Sequence, residues 1–369
     1  MTRRHKILVF TLVITLGMAT PCRGDDLRQR DMAQALESIE READAAGGWQ
    51  GWRDQLKPYH ALWASHLESA PEAGKGLIAG ADGFFFLRNW ESYVLEADFI
   101  SGGAADGESS ALSTLIDLNR QLLERGIHFM VVPVPSRSEI YPENVLAPPP
   151  STTSVAPQRK AFIAALLRNN VEAIDLLPPL VAAKAHGPVS LPNDTHWTSH
   201  GATVAAAAIA QRLERYDWAT LYGRPPEAMK TATVDYNRSW SLVERMTPEN
   251  QAVHPPGPVE VSQVRRSNDA PYTADPSAPL VIVGDSFLFF YGNIQADVAA
   301  HVGAKIGFPV ATKPMGGGQS ARVARTFARM TPAELDQYKV VVFIFLGPYL
   351  RYENWKTAPL PASAGGVTP

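Results

Sequence analysis

The chain has almost no cysteine. Cys22 is the only one among 369 residues, so a mature chain that begins after it would contain neither a thiol nor a disulfide. This excludes cysteine nucleophiles and cysteine-ligated metal sites. An excess of basic residues is also missing, since the formal net charge is -3 and the pI is about 6.3. With no positive field over the whole molecule, we expect no nucleic-acid partner.

Long apolar runs are absent beyond the N-terminal segment, so no later stretch predicts a membrane span. The N-terminal segment combines Arg3, Arg4 and Lys6 with an uncharged stretch over residues 7–19. We interpret residues 1–24 as a signal peptide, with a retained signal anchor as the alternative. The protein is therefore expected in the periplasm, either free or associated peripherally with the inner membrane.

The rest of the sequence has the composition of a globular protein, with 45% hydrophobic and 19% charged residues. It contains no internal repeat, which argues against solenoids and propellers. Apolar, β-rich runs at 128–134, 280–283 and 340–346 alternate with segments of helical periodicity. This alternation predicts an α/β fold in which helices cover both faces of a parallel sheet.

Composition also suggests how the chain is divided. Residues 25–75 predict an N-terminal helical lead-in, and residues 76–360 form the main domain. Within that domain, residues 222–278 are rich in Pro, Ser and Asn, which indicates an insertion or surface excursion that could line a substrate groove. Residues 361–369 have the composition of a disordered tail.

A buried strand at 280–283 leads directly into Gly284-Asp285-Ser286. In parallel α/β sheets, ligands bind at the carboxyl ends of the strands, so a serine at this place is positioned as a nucleophile. The alternative is that Asp285 and Ser286 only cap the following helix.

A serine hydroxyl needs a base, usually a histidine that is oriented by a carboxylate. Asp194 and His196 supply both in one short segment, and their spacing brings the side chains to one side only in extended backbone. The alternatives are a capping aspartate with a surface histidine, or a metal pair with His200. Two histidines and one carboxylate make a poor ligand set, so we expect neither a metal nor another cofactor.

Acyl transfer also needs hydrogen-bond donors for the oxyanion. The backbone N–H of Ser286 is one candidate. A second is the glycine run that includes Gly317 and Gly318, unless it is simply a flexible turn. Arg322 leads a stripe with Arg325 and Arg329 on one predicted helical face, which is either solvated or able to bind an anionic polysaccharide.

The Asp194-Thr195-His196-Trp197 and Gly284-Asp285-Ser286 motifs, in this order, resemble the SGNH-hydrolase-like alginate O-acetyltransferase family of the AlgJ and AlgX type. Ordinary SGNH esterases carry the serine motif first and the histidine motif last. The segments at 82–86 and 133–142 also resemble elements of the family, so the likeness spans about residues 80–352.

The resemblance implies a flavodoxin-like sheet, a catalytic triad of Asp194, His196 and Ser286, and an exopolysaccharide as the acceptor. Alginate is the first candidate among exopolysaccharides. It also implies a membrane-bound O-acyltransferase that supplies the acetyl group. The last strand departs from the family pattern: Arg351 and Tyr352 keep an Arg-Tyr pair near the acceptor site, without the expected tryptophan and glutamate. Because the chain ends soon after this strand, the expected architecture is closer to AlgJ.

The predicted reaction transfers acetyl to a sugar hydroxyl through an acetyl-serine at Ser286. Two alternatives remain at this point. A polysaccharide acetylesterase would use the same acyl-enzyme with water as the acceptor, and a non-catalytic scaffold would bind polysaccharide in an export complex.

Overall fold

The computed structural model of the chain describes residues 23–96, 110–237, 240–254, 257–316, 318–352 and 354–363. Residues 1–22 fall outside this part, and with them nearly all of the predicted signal segment. The same holds for Gly317 and for most of the predicted tail. Across the described ranges, no helix combines the length and the apolar character that crossing a membrane requires.

Within these ranges the chain forms ten strands in three sheets. They are β1 (Glu72–Gly74), β2 (Leu77–Ala79), β3 (Phe85–Leu87), β4 (His128–Val134), β5 (Glu172–Ala173), β6 (Met229–Tyr236), β7 (Val259–Arg266), β8 (Leu280–Gly284), β9 (Ala311–Pro314) and β10 (Val340–Leu346).

The described residues also form fifteen α-helical segments, several of a single turn. They are α1 (Arg23–Ala45), α2 (Gly48–Ser69), α3 (Arg88–Glu91), α4 (Ala111–Leu123), α5 (Arg137–Ile140), α6 (Pro142–Val145), α7 (Pro157–Arg168), α8 (Leu177–Ala183), α9 (Ser199–Leu213), α10 (Trp218–Tyr222), α11 (Pro248–Val253), α12 (Ser286–Phe289), α13 (Val298–Ile306), α14 (Val323–Ala328) and α15 (Pro332–Asp336).

The central sheet has five strands in the order β5-β4-β10-β8-β9, and all neighbouring pairs are parallel. Counted from β8 as the first strand, this is the flavodoxin-like order 2-1-3-4-5 with the chain starting at a different strand. The predicted α/β fold with a parallel sheet is therefore confirmed. The permuted start explains why the histidine motif precedes the serine motif in this sequence.

The strands β8 and β10 are buried along their whole length. Because successive side chains of a strand point to opposite faces, burial of every residue means that both faces of the sheet are covered. The continuous apolar sequences of these strands follow from that constraint. Their parallel register, from Val340 beside Leu280 to Ile344 beside Gly284, brings both carboxyl ends to one edge.

The predicted N-terminal lead-in is helical, as α1 and α2. It is not a separate layer, since Met32, Tyr59 and Trp63 belong to the same hydrophobic core as the central sheet. The boundary at residue 75 lies between two paired strands, because β1 pairs with β2 in an antiparallel manner. The helix α1 also starts at Arg23, inside the segment assigned to the signal.

The predicted excursion at 222–278 contains regular structure that its weak periodicity did not indicate. The strands β6 and β7 pair over eight residues as an antiparallel ribbon. On β7, the Ser262 N–H donates to Ser199 Oγ at 2.8 Å, and the Val264 N–H donates to the Gln295 carbonyl at 2.8 Å. The ribbon is thus fastened to α9 and to the segment after α12, on the side of the molecule that carries both motifs.

Gly284 supplies a direct test of how tightly β8 packs on β10. A Cβ at this position would lie 2.4 Å from both Ile344 Cγ2 and the Ile344 carbonyl oxygen. We predict that Gly284→Ala lowers the free energy of unfolding by about 1–3 kcal/mol, measured by urea denaturation. The matched control is Gly316→Ala, whose Cβ would meet nothing closer than 3.4 Å and should change stability by less than about 1 kcal/mol. Equal losses in the two variants would contradict the close approach.

Candidate active site

The serine motif forms a strand, a tight turn and a short helix. Asp285 follows β8 as the N-cap of α12, and its Oδ1 accepts a hydrogen bond from the Phe287 N–H at 3.0 Å. Ser286 is the first helical residue, so its own N–H has no partner within the helix. The capping alternative is therefore true of Asp285, while Ser286 remains partly exposed at the carboxyl edge of the sheet.

The histidine motif lies in a short hairpin over residues 189–198. Ser190 pairs with Trp197, and the Leu191 N–H donates to the His196 carbonyl at 3.0 Å. This extended backbone carries Asp194 and His196 two residues apart on one side of the hairpin. The helix α9 begins immediately after it, with Thr198 as the N-cap.

The structure brings Asp194, His196 and Ser286 together, although about 90 residues separate the two motifs. His196 Nε2 lies 2.7 Å from Ser286 Oγ, and His196 Nδ1 lies 2.6 Å from Asp194 Oδ1. These are hydrogen-bonding distances. The arrangement has the order nucleophile, base and orienting carboxylate that activates a serine hydroxyl.

Asp194 is completely buried and accepts three hydrogen bonds. Besides His196 Nδ1, the donors are the His196 backbone N–H at 3.1 Å and the Ser241 N–H at 2.7 Å, which bonds to Oδ2. Burial alone would raise the pKa of Asp194, but the hydrogen bond and charge of His196 and these N–H donors bring the pKa down to about 2. The carboxylate is therefore ionised at neutral pH.

Aromatic side chains hold the His196 imidazole in place. Its ring stacks on Phe290 with the centroids 4.1 Å apart and the planes within 9°, and the Phe287 ring lies 4.9 Å away. Phe287 follows Ser286 on α12, and Phe290 is the C-cap of that helix. The helix that presents the nucleophile thus also fixes the orientation of its base.

Asp285 has a different environment from Asp194. Its Oδ2 accepts a hydrogen bond from the Leu346 N–H at 2.7 Å and lies 3.4 Å from Ser320 Oγ. Burial raises the pKa of Asp285 to about 6, against the influence of the backbone donors Leu346 and Phe287. Asp285 ties the end of β10 to the start of α12 and does not bond to the imidazole.

Arg137 was not identified from the sequence as a site residue. It is buried at the start of α5, just beyond β4, and its Nη1 donates to the backbone carbonyls of Leu191 at 2.5 Å and of Asp194. Its segment, 133–142, resembles an element of the family, but that likeness gave Arg137 no role. The capping box formed by Ser136 and Glu139 predicts a helix start and no contact. Ser241 was not predicted either. It reaches Asp194 through its backbone N–H, which any residue type except proline would offer.

The remaining predicted site residues among those described are Gly318, Arg322 and Tyr352. The backbone of Gly318 bonds to the Tyr349 side chain, and the Tyr349 ring packs 5.0 Å from Tyr352. Ser320 connects this segment to Asp285. Arg322 is exposed and donates to Gln319 Oε1 at 3.1 Å.

The predicted arginine-bearing helix is shorter than expected. Residues Ser320–Arg322 form a 3-10 turn, and α14 covers only the next six residues. Arg322, Arg325 and Arg329 are all exposed, which is compatible with either alternative for this stripe. His200 lies on α9, with its Nε2 3.2 Å from the Ala183 carbonyl.

A family model described as "SGNH hydrolase-like domain, acetyltransferase AlgX" matches residues 77–344. The chain is similar to the "Probable alginate O-acetylase AlgJ" of Pseudomonas syringae pv. tomato, at 31% identity over 176 residues, which are 46% of this chain and 41% of the relative. The protein of that name from Pseudomonas fluorescens is 29% identical over 236 residues, which are 61% and 57% of the two chains. The matched part thus covers less than two thirds of these relatives.

Two solved structures show the same fold. The O-acetyltransferase domain of Pseudomonas putida AlgJ superimposes with a TM-score of 0.57 at 21% identity, covering 80% of this chain and 96% of that one. Pseudomonas aeruginosa AlgX gives a TM-score of 0.51 at 18% identity, covering 74% and 66%. Since the family model extends over more than half of the sequence, this chain belongs to the family of SGNH hydrolase-like acetyltransferase domains represented by AlgX.

Proposed function

We propose that this chain is an exported O-acetyltransferase that moves acetyl groups onto the hydroxyls of an exopolysaccharide through an acetyl-serine at Ser286. Alginate is the first candidate for the acceptor. The observation that carries the proposal is the continuous hydrogen-bonded line from Asp194 through His196 to Ser286. Membership of an acetyltransferase family favours transfer over other serine chemistry. The names of the AlgJ relatives favour alginate as the acceptor.

The first step forms the acyl-enzyme. His196 Nε2 takes the proton of Ser286 Oγ as the oxygen attacks the acetyl carbonyl of the donor. The resulting imidazolium returns the proton to the leaving oxygen of the donor when the tetrahedral intermediate collapses. Asp194 stays ionised, keeps the Nδ1 proton in place and stabilises the positive ring.

The second step repeats this chemistry with a sugar. His196 Nε2 removes the proton of an acceptor hydroxyl, the alkoxide attacks the acetyl-serine, and Ser286 recovers its proton from the imidazolium. Of the oxyanion donors considered, the Ser286 N–H fits best because it lies at the unpaired start of α12. We place Tyr352 and the neighbouring Gly318 at the acceptor side, because Ser320 links their segment to Asp285.

The supply of acetyl follows from the proposed location. A periplasmic enzyme has no access to cytoplasmic acetyl donors, so we propose that a membrane-bound O-acyltransferase delivers the group. The basic and apolar pattern of residues 1–24 supports export. Peripheral contact with the inner membrane would bring Ser286 close to that donor.

The transferase and the esterase differ only in the acceptor. We predict that incubation with an activated acetyl ester and mannuronate oligosaccharides yields acetylated sugar as the main product, because a bound sugar hydroxyl competes with water from a fixed position. Mass spectrometry of the sugar and an acetate assay measure the partition. Release of acetate alone, at a rate that oligosaccharide leaves unchanged, would indicate an acetylesterase.

The nucleophile is tested by Ser286→Ala. We predict that acetylation falls by about 10³-fold or more, because the covalent route is lost. The stability change should be at most about 1 kcal/mol, since only one partly exposed hydroxyl is removed. Mass spectrometry should find one acetyl group on wild-type Ser286 after brief exposure to donor and none on the variant. An acetyl on another residue, or near wild-type turnover by the variant, would refute the assignment.

The charge of Asp194 is tested by Asp194→Asn. Because the folded-state pKa of about 2 lies below the usual value of 3.8, ionised Asp194 stabilises the fold above about pH 4, and this contribution is lost as pH falls toward 2. We predict that wild type exceeds the variant by about 2 kcal/mol in free energy of unfolding at pH 7, and that the gap narrows below pH 4. Turnover should fall by about 10⁴-fold at pH 7. A gap that stays constant between pH 7 and pH 3 would contradict the depressed pKa.

A further inference from the structure

The hairpin at 189–198 carries two of the three proposed catalytic residues. Few hydrogen bonds within the hairpin stabilise it. One isolated bridge and two flanking backbone hydrogen bonds connect its arms. A two-stranded hairpin is marginally stable by itself, so its position depends on contacts with the rest of the molecule. The geometry of the proposed triad depends on those same contacts.

Arg137 supplies side-chain hydrogen bonds to the hairpin backbone, one of them at the proposed catalytic residue Asp194. Its Nη1 lies within hydrogen-bonding reach of three hairpin carbonyls, those of Leu191 at 2.5 Å, Pro192 at 3.4 Å and Asp194. The Ser241 N–H also bonds to Asp194, but to its carboxylate and not to the backbone. Two further contacts act farther from the triad: the Phe85 N–H donates to the Pro192 carbonyl at 2.9 Å, and Tyr141 Oη accepts from the Val189 N–H at 2.9 Å. Arg137 therefore fixes the peptide of Asp194 itself.

We propose that Arg137 is a positioning residue for acyl transfer, which sets the distance between the hairpin and Ser286 by holding the backbone at Asp194. The proposal rests on the proposed function. Arg137 touches neither Ser286 nor the imidazole, so it acts through the hairpin. Arg137 starts α5 just beyond the carboxyl end of β4, and Ser286 starts α12 just beyond β8. The same edge of the sheet therefore fixes the positions of both residues.

The surroundings of Arg137 suit a permanent cation that cannot move. Its guanidinium lies over the rings of Phe84 and Phe86, 5.5 and 5.0 Å from their centroids. Burial lowers the pKa of Arg137 to about 10, partly offset by the charges of Glu91 and Asp194, so it remains protonated at neutral pH. A lysine could keep the charge, but it would lose the flat shape that fits between rings and carbonyls.

A purely structural role would lower stability without a specific effect on chemistry, so the test separates the two. We expect Arg137→Lys to reduce the rate constant for acetyl-serine formation from a small acetyl ester by about 100-fold, because a displacement of the base by about 1 Å has an effect of this size. The KM for the ester should change by less than threefold, since Arg137 does not contact it. Rates are scaled to the folded fraction from circular dichroism.

Chemical rescue supplies a second readout. Added guanidinium, at concentrations below those that unfold the protein, should raise the rate constant for acetyl-serine formation by Arg137→Ala at least tenfold. The ion can occupy the space beside Phe84 and Phe86 that the side chain has left. Should Arg137→Ala not fold, Arg137→Lys decides the question alone. The matched control is Arg215→Lys, an arginine whose side chain is only 3% exposed and pairs with Glu172. It should lose stability, keep its rate per folded molecule and gain nothing from guanidinium.

The outcomes are distinct. Folded Arg137→Lys with a rate constant near wild type, or a loss matched by Arg215→Lys, would overturn the positioning role. A wild-type protein that never forms acetyl-serine would instead overturn the proposed function, whatever Arg137 does. A 100-fold loss confined to Arg137→Lys, together with guanidinium rescue of Arg137→Ala, would support both.

Discussion

The parallel alignment of β4, β10 and β8 is the constraint on which the candidate site depends. All three strands end at one edge of the sheet, and each is followed at once by a residue of the site or its support. Asp285 depends on this alignment, because its carboxylate accepts hydrogen bonds from the Leu346 N–H at the end of β10 and from the Phe287 N–H at the start of α12. A shift of one strand by one residue would separate these groups, since the spacing along a strand is about 3.3 Å per residue.

The permuted strand order shows why motif order is a poor guide to geometry in this fold. When the strands are numbered from β8 as in an unpermuted chain, β8 is the first strand and β5 the last, although β5 comes earlier in this sequence. Ser286 follows the first strand in this numbering, and the hairpin with His196 comes after the last. The serine and histidine therefore meet across the sheet edge as they would in an unpermuted chain. What folding must preserve is this spatial relation, and the point at which the chain starts is secondary.

The parts of the site that are encoded by neighbouring residues could be predicted from the sequence. Ser286 was recognisable because a wholly apolar strand ended in a polar turn, and Asp194 with His196 because both types occurred within three residues. Arg137 and Ser241 could not be found in this way, since they act on hairpin atoms from 57 and 47 residues away. The same limit applied to the boundary at residue 75, where the antiparallel pairing of β1 with β2 is a contact that composition does not reveal.

The two aspartates of the site show how surroundings divide roles between identical side chains. Both are fully buried, and both accept backbone hydrogen bonds. Asp194 also faces the imidazole of His196, which outweighs the effect of burial, so its pKa falls to about 2 while that of Asp285 rises to about 6. A carboxylate that is already charged can stabilise an imidazolium as it forms, without reorganisation during the reaction. Asp194 has the charge that the proposed mechanism requires, and Asp285 has hydrogen bonds suited to a structural cap. The direction of each pKa shift therefore agrees with the hydrogen bonds that each carboxylate makes.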